Sequence, residues 1–402
     1  MLRLDRILFK YYPIAWIAGL SLFYFHIIVI LQSIKTLNRK NIKIVPTEIV
    51  PIILYISIYL FSLAFNSYGS PLDRIIASAY NLSFWVLGVL TVLVLYHNRE
   101  EIDYNSLKRG AELLLIIIFI SALLCLTGSY NEIKFDSLLA KAINVNSMPQ
   151  LIVDSTVLKV FTSDWFDGGS SVRNAILSPY ATATAAVSIM LFTIITLKSN
   201  VKSLEFTIWA LITLICVIST FSRLLVALYL LHLLVLYSSE LKRSLKIYLI
   251  MIFATLCILT FPMLLKAWSE INNLRSGSSA IRFLAYEATY EKAMAENPIF
   301  GLGVKDRGVF FIPLGSHSTF LGAFLKTGIF GLLFLITYSV LIIFRFSLEF
   351  LRTEVNRCKV RLISILMVMT TFWIFEDIDA AQLLSVCYFF MLGLYTTKRE
   401  IQ

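Results

Sequence analysis

Apolar residues run along this chain in long blocks separated by short polar breaks, and most blocks approach the roughly 20 residues a helix needs to cross a bilayer. The pattern predicts spans at about 12–34, 48–66, 77–97, 110–128, 178–197, 204–219, 223–237, 245–266, 325–346, 360–376 and 380–396. Residues 204–237 would make a helix on the order of 50 Å long, well beyond a hydrocarbon core of about 30 Å. The break Ser219-Thr220-Phe221-Ser222-Arg223 is therefore read as a hairpin turn. The first block exceeds a signal-peptide core of roughly 7–15 residues and reads as an uncleaved span. Two hydrophilic segments, 129–177 and 267–324, are expected as long external loops. With no internal repeat, the expected fold is all-α: one polytopic membrane domain over residues 1–402, a bundle of about 11–12 transmembrane helices.

Composition excludes the soluble alternative. The 402 residues are 58% hydrophobic and 15% charged, with a mean hydropathy of +0.80, against roughly 45–50% apolar and about 25% charged in soluble domains. The net charge of +10 would suggest a nucleic-acid partner in a soluble protein. Here it lies in short loops: Lys35 to Lys43, Arg99 to Arg109, Lys198 and Lys202, Lys242 to Lys246, and Arg352 to Arg361. The positive-inside rule puts all five in the cytoplasm and predicts no nucleic-acid partner. The opposite side then carries both long loops, the turn before Arg223, and the acidic turn Glu376-Asp377-Ile378-Asp379. An odd span count places the N-terminus outside, in conflict with the basic Arg3, Arg6 and Lys10. The five cysteines lack paired ligand spacing, so neither a disulfide framework nor a zinc site is indicated.

Several residues on the outer side could carry chemistry. Arg223 opens an apolar helix, where an arginine snorkels, pairs or lines a polar cavity. Ser278-Ser279 and the helix formers that follow, up to Asn297-Pro298, predict an external helix of about four turns with Arg282, Tyr286, Thr289 and Ala293 on one stripe. That stripe fits either a plain surface helix or a binding face. His317, within Ser316-His317-Ser318 before a span, is either a hydrogen-bonded structural residue or a general base. Ser316 or Ser318 would cap the helix behind it. His26 and His232, inside apolar spans, read as structural. Asp377 and Asp379 follow the D-x-D pattern that holds a divalent cation in many sugar-transfer enzymes, though an acidic outer turn is also what topology favours. Asp164, Asp167 and Arg173 form a second polar cluster, whose neighbouring tryptophan and tyrosine either anchor at the interface or stack on sugars. Gly301-Leu302-Gly303 lacks the flanking strand and helix of a nucleotide-binding loop.

In this order and spacing the motifs resemble the bacterial O-antigen ligase and O-antigen polymerase family of membrane glycosyltransferases. Thr220-Phe221-Ser222-Arg223-Leu224-Leu225 is similar to that family's arginine at the outer start of a span. Residues 280–287 and 297–303 are similar to its external arginine helix and the proline-glycine segment after it. Ser316-His317-Ser318-Thr319-Phe320-Leu321, then Gly328-Ile329-Phe330-Gly331, is similar to its histidine motif. The likeness covers about residues 165–395. It implies a GT-C-like enzyme of the bacterial inner membrane, active on the periplasmic face, using no cofactor and no metal. Its donor would be an undecaprenyl-diphosphate-linked glycan, transferred with inversion to a glycan acceptor in the lipid bilayer, with a chain-length regulator as a candidate partner. Arg223 and Arg282 would stabilise the leaving diphosphate and His317 would deprotonate the acceptor or orient it. Arg173, Tyr286, Ser316, Ser318 and Asp377 would bind substrate. A repeat-unit polymerase leads, because the segment from Pro298 to His317 is short. A ligase acting on lipid A core and a lipid-linked oligosaccharide flippase are the alternatives. Family members often have asparagine where this chain has Ser318, and usually about twelve spans with a cytoplasmic N-terminus, which implies a shortened N-terminal region or one more helix.

Overall fold

The computed structural model describes residues 4–39, 45–97, 102–128, 131–142, 156–163, 172–248, 276–306, 308, 313–353 and 356–397. Helices dominate, and they follow the apolar blocks: α1 Leu4–Ile7, α2 Tyr12–Ala18, α3 Ser21–Arg39, α4 Val50–Asn66, α5 Leu72–His97 and α6 Tyr104–Leu126. After a short helix α7 (Leu138–Ala142) come α8 Ala181–Ile195, α9 Leu204–Ile218 and α10 Arg223–Ser239. The set closes with α11 Ser276–Glu296, α12 Thr319–Phe350, α13 Arg357–Phe372 and α14 Gln382–Thr396. The expected hairpin at 219–222 is present, while the span expected at 245–266 lies, from residue 249 onward, outside the described residues. Among the described residues, four stretches, Thr47–Asn66, Leu72–His97, Tyr104–Leu126 and Thr319–Phe350, are each long and apolar enough to cross a membrane. Outward-facing Leu60, Leu333 and Val340 are exposed, as lipid-facing side chains of a membrane bundle must be.

The centre of the bundle is α8, and its sequence explains why. Thr182 to Ser188 reads TATAAVS, small residues all round, so neighbouring backbones can approach closely. Every residue from Ala183 to Ile195 is buried, and α6, α9, α10, α13 and α14 pack around it. A helix without a polar face belongs inside a larger assembly. One end of the bundle is basic: Arg6 meets Asp103 at 3.0 Å, Lys108 meets Glu205 at 2.5 Å, Arg345 meets Glu48 at 3.0 Å and Arg357 meets Glu240 at 2.8 Å. Three helices start there on side-chain caps, Asp103 for α6, Ser203 for α9 and Asn356 for α13, each satisfying a backbone N–H that the helix leaves unpaired.

The first expected span, 12–34, is corrected. Gly19, at φ +79°, ends α2, and the Leu20 N–H donates to Ala15 O, a left-handed helix stop that suits glycine. A Cβ at Gly19 would lie 2.2 Å from Ser137 Oγ. Residues 4–18 therefore form the first arm of a hairpin whose second arm is α3. Arg6 sits at the basic end beside Asp103, while Trp16 packs on Phe135 and the Tyr12 hydroxyl donates to Leu177 O toward the other end. Arg6 thus lies on the same side as the other basic loops.

The fold is mostly helical, as expected, with one small addition. Within 129–177 lies a small antiparallel sheet of β1 Ile133–Asp136, β2 Val157–Ser163 and β3 Val172–Asn174, in that order, with Phe161 opposite Asn174 and Ser163 opposite Val172. Asn174 is fully buried and plugs β3 into the bundle. Its amide oxygen accepts from Ser121 Oγ and its NH2 donates to Ile118 O and Ser219 Oγ.

Helix α12 is broken at Gly328 (φ +62°). The break frees the carbonyls of Leu325 and Lys326, which accept from Leu302 N at 2.8 Å and Gly303 N at 2.9 Å. Ser62 Oγ also donates to Lys326 O, and the Asn66 amide to Gly301 O. The glycines of Gly301-Leu302-Gly303 thus serve close backbone docking: a Cβ at Gly301 would lie 2.3 Å from Thr327 N, and one at Gly303 2.6 Å from Ser62 O. Gly301→Ala should lower stability by about 2–4 kcal/mol in a detergent melting experiment. Leu20→Cys should react with a membrane-impermeant maleimide from the same side as Phe135→Cys. Protection of position 20, expected if 12–34 were one span, would overturn the hairpin.

Candidate active site at the acidic turn

Between α13 and α14 the chain turns through residues 376–379, at the end of the bundle opposite the basic one, and the residues Glu376, Asp377 and Asp379 are only 6%, 4% and 2% exposed. The backbone of this turn is fixed by its neighbours. Thr319 Oγ1 donates to Glu376 O and accepts from Ile378 N, the Tyr180 hydroxyl donates to Asp377 O, and Ser385 Oγ donates to Ile378 O. Burying three carboxylates is tolerable only if each finds a cation. Asp379 Oδ2 takes Lys326 Nζ at 2.7 Å and Trp85 Nε1 at 3.2 Å, and its Oδ1 lies 3.6 Å from Lys305 Nζ. Lys305 also bonds Asp377. Glu376 faces outward, with Arg282 Nη2 at 3.3 Å and His317 Nδ1 at 3.6 Å.

The electrostatics follow from this pairing. Burial alone would raise the Glu376 carboxyl, but His317, Arg282 and Arg173 together outweigh it and hold it below its ordinary value of 4.5. For Asp379 burial is likewise overcome, by Lys326 and Lys305. Burial pulls Lys305 down to about 8 even against the attraction of Asp379.

His317 stands in the left-handed region at φ +64°, a conformation that costs a non-glycine residue roughly 1–2 kcal/mol. Helix α11 offsets this. The Tyr286 hydroxyl donates to His317 O at 2.8 Å and Thr289 Oγ1 accepts from Gly315 N at 2.9 Å, while Ala293 packs with Leu314, Phe324 and Leu325. The stripe of Arg282, Tyr286, Thr289 and Ala293 is thus the packing face of α11, which begins at Ser276. Ser318 caps α12, accepting from Leu321 N, and Ser316 Oγ bonds back to Pro313 O. Both serines shape the turn that presents His317, whose side chain stays 30% exposed.

Two further arginines lie on this side. Arg173 Nε donates to Thr220 O at 2.9 Å, and its charge acts on Glu376. Arg223 is exposed at the start of α10, three residues after Thr220, in the turn that the Asn174 plug holds. Arg282, His317, Tyr286 and Arg173 therefore converge on Glu376, with Arg223 in the adjoining turn, whereas Asp377 points inward to Lys305. Asp164 and Asp167 lie outside the described residues. His232 has both ring nitrogens engaged, by Thr193 and Ser364, and His26 bonds Ser83.

Glu376, Lys305, Lys326 and Trp85 carry no role in the sequence reading. Lys326 held the available signal: an ionisable residue two turns into an apolar helix must have a partner, and the turn at 376–379 offers acidic ones. As for the D-x-D pattern, both of its carboxylates are engaged by lysine ammonium groups.

Fold and site together define a polytopic helical membrane protein with an imidazole, a carboxylate and several guanidinium groups gathered at one end. Residues 206–336 match the family model described as O-antigen ligase, so over that segment the chain is similar to the O-antigen ligase family. No curated protein matches the chain. The matched segment holds Arg223, Arg282, Tyr286 and His317, while Arg173 and the whole acidic turn lie outside it.

Because its carboxyl is depressed on folding, Glu376 contributes stability that is complete above about 4.5 and lost as pH falls through its folded value. Wild-type thermal stability should therefore fall more steeply than that of Glu376→Gln when detergent-solubilised protein is taken from pH 7 to pH 3. Equal slopes would show that the carboxylate gains nothing from Arg282 and His317.

Proposed function

We propose that this chain is a polymerase of the bacterial inner membrane that joins surface-polysaccharide repeat units, O-antigen or capsule, on the periplasmic face. Supporting this placement, Glu376, Arg282 and His317 lie opposite the basic end, which the positive-inside rule assigns to the cytoplasm. The observation that carries the function is the buried Glu376 carboxylate holding a half-exposed guanidinium and a half-exposed imidazole side by side, Arg282 at 3.3 Å and His317 at 3.6 Å.

In this reading the donor is a glycan on undecaprenyl diphosphate and the acceptor is a hydroxyl of a second lipid-linked glycan. His317 takes the hydroxyl proton as the acceptor oxygen attacks the anomeric carbon. The bond from that carbon to the diphosphate oxygen breaks, with inversion. Negative charge grows on the departing lipid diphosphate, where Arg282, Arg173 and Arg223 stabilise it. Glu376 orients His317 and Arg282. The cationic work falls to arginines, and Asp377 and Asp379 are held by lysines, so the reaction is expected to run without a divalent metal. The short segment after Pro298 favours a lipid-linked acceptor: its described residues 298–306 and 313–317 fold back on α12 and α11. A chain-length regulator would act on this polymer. The second reading, transfer to lipid A core, draws on the ligase description of the matched family.

Reconstituted protein given purified lipid-linked repeat units alone should lengthen them, at full rate in chelator. His317→Ala should reduce the rate by about 10²–10⁴ and Arg282→Ala by about 10²–10³, with expression kept. Transfer seen only after lipid A core is added would replace the polymerase with the ligase. Transport without a new glycosidic bond would remove both.

A further inference from the structure

The first turn of α12 is seated on the C-terminal end of α13 through Thr319. The first N–H groups of a helix and its last carbonyls have no partner within the helix. Ser318 satisfies one such donor of α12, accepting from Leu321 N. The Thr319 N–H finds its acceptors across the junction instead, at Trp373 O, 2.9 Å away, and Glu376 O, at 3.2 Å. Trp373 is the residue that ends α13, so an unpaired donor of one helix meets an unpaired acceptor of the other. The Thr319 hydroxyl closes the junction further, donating to Glu376 O at 2.8 Å and accepting from Ile378 N at 3.1 Å. Thr319 and Ile378 are both buried, so water does not compete for these bonds.

What flanks the junction gives it meaning. His317 stands two residues before Thr319, and the carbonyl that Thr319 grips belongs to Glu376. The Glu376 side chain in turn has His317 Nδ1 at 3.6 Å and Arg282 Nη2 at 3.3 Å. The other bonds on the acidic turn tie it elsewhere: Tyr180 before α8 bonds Asp377 O, and Ser385 of α14 bonds Ile378 O. Capping does not account for the Thr319 hydroxyl, because Ser318 already performs it. Threonine is stiff at χ1, so its hydroxyl is held between one acceptor and one donor of the same turn.

We propose that Thr319 is a positioning residue: it sets where the Glu376 carboxylate stands relative to His317, and thereby the alignment of imidazole and guanidinium for glycan transfer. The inference rests on the reading of Glu376 as the group that orients His317 and Arg282. Thr319 is buried and acts only through the turn. Valine in its place would keep the branched shape but leave the Ile378 N–H without its acceptor and Glu376 O with one donor fewer. A buried donor without a partner is unfavourable enough to move a turn, and a displacement of about 1 Å at a reacting group is enough to slow a reaction severely. Serine in its place would keep the hydroxyl and the bonds.

The experiment is steady-state kinetics of glycan transfer from purified lipid-linked repeat units by the full-length protein in liposomes, to a second lipid-linked glycan or to lipid A core, with rates taken per folded molecule. Thr319→Val should lower kcat by roughly 10–100-fold with the donor KM unchanged, whereas Thr319→Ser should keep most of the rate. In a Glu376→Gln background Thr319→Val should add little, because the group through which it acts is already lost. A purely structural role predicts less folded protein at an unchanged kcat, or losses that multiply in the double variant, and either result would overturn the proposal. So would Thr319→Ser as slow as Thr319→Val. Should Thr319→Val fail to fold, Thr319→Cys, whose thiol is a weaker donor and acceptor, should give a smaller loss that again vanishes in the Glu376→Gln background. If Glu376→Gln keeps the wild-type kcat, or the wild type transfers glycan to neither acceptor, the reading of the site fails and takes the role of Thr319 with it. If Glu376→Gln and His317→Ala slow transfer while Thr319→Val does not, only the role of Thr319 fails.

Discussion

Placing three carboxylates in the interior of a membrane bundle would be prohibitive without compensation, and much of the site-bearing end can be understood as the means of supplying it. The cations come from elements far apart in sequence. Lys326 reaches Asp379 from a broken helix, Lys305 from a loop docked on that break, and Arg282 reaches Glu376 from α11. Each must be held while it pairs, which gives a common purpose to features that otherwise look unrelated. The glycine break at 328 lets the 301–303 backbone approach, and that approach carries Lys305 inward.

The same economy governs His317. Its left-handed backbone is unfavourable by itself, yet the hydroxyl of Tyr286 and the cap at Ser318 hold it there. Leu177 and Phe221 share the left-handed region, at φ +63° and +50°. All three non-glycine residues of this kind among those described lie in loops at the site-bearing end, where unusual backbone is most often retained for function.

Long apolar blocks were enough to find α4 to α6, α8 to α10 and α12 to α14, because the bilayer imposes a length and forbids unpaired backbone. The hairpin at 219–222 was legible for the same reason. Residues 4–18 were missed because α1 and α2 are short and interrupted by Lys10 and Tyr11, so Gly19 looked like an interior glycine instead of a stop. The sheet escaped notice because β1 and β3 have only four and three residues, below the length at which alternation can be read. Among the site residues, Arg282 and His317 stood out by motif. Glu376 could not, since its importance lies in a contact with residues 59 and 94 positions away, and nothing local marks it apart from any acidic turn.

The segment that matches the family, residues 206–336, is therefore smaller than the physical unit that makes its arginines and histidine useful. It holds Lys305 and Lys326 but not the carboxylates they neutralise, and it holds the carbonyls of Gly301 and Lys326 but not the Asn66 and Ser62 side chains that bond them. Grafted onto a foreign helical scaffold, that segment would carry two buried cations with no counter-ions and a histidine with no orienting carboxylate. A chimera between two such proteins would have to exchange the matched segment and the turn at 376–379 together, or restore the missing charges by hand.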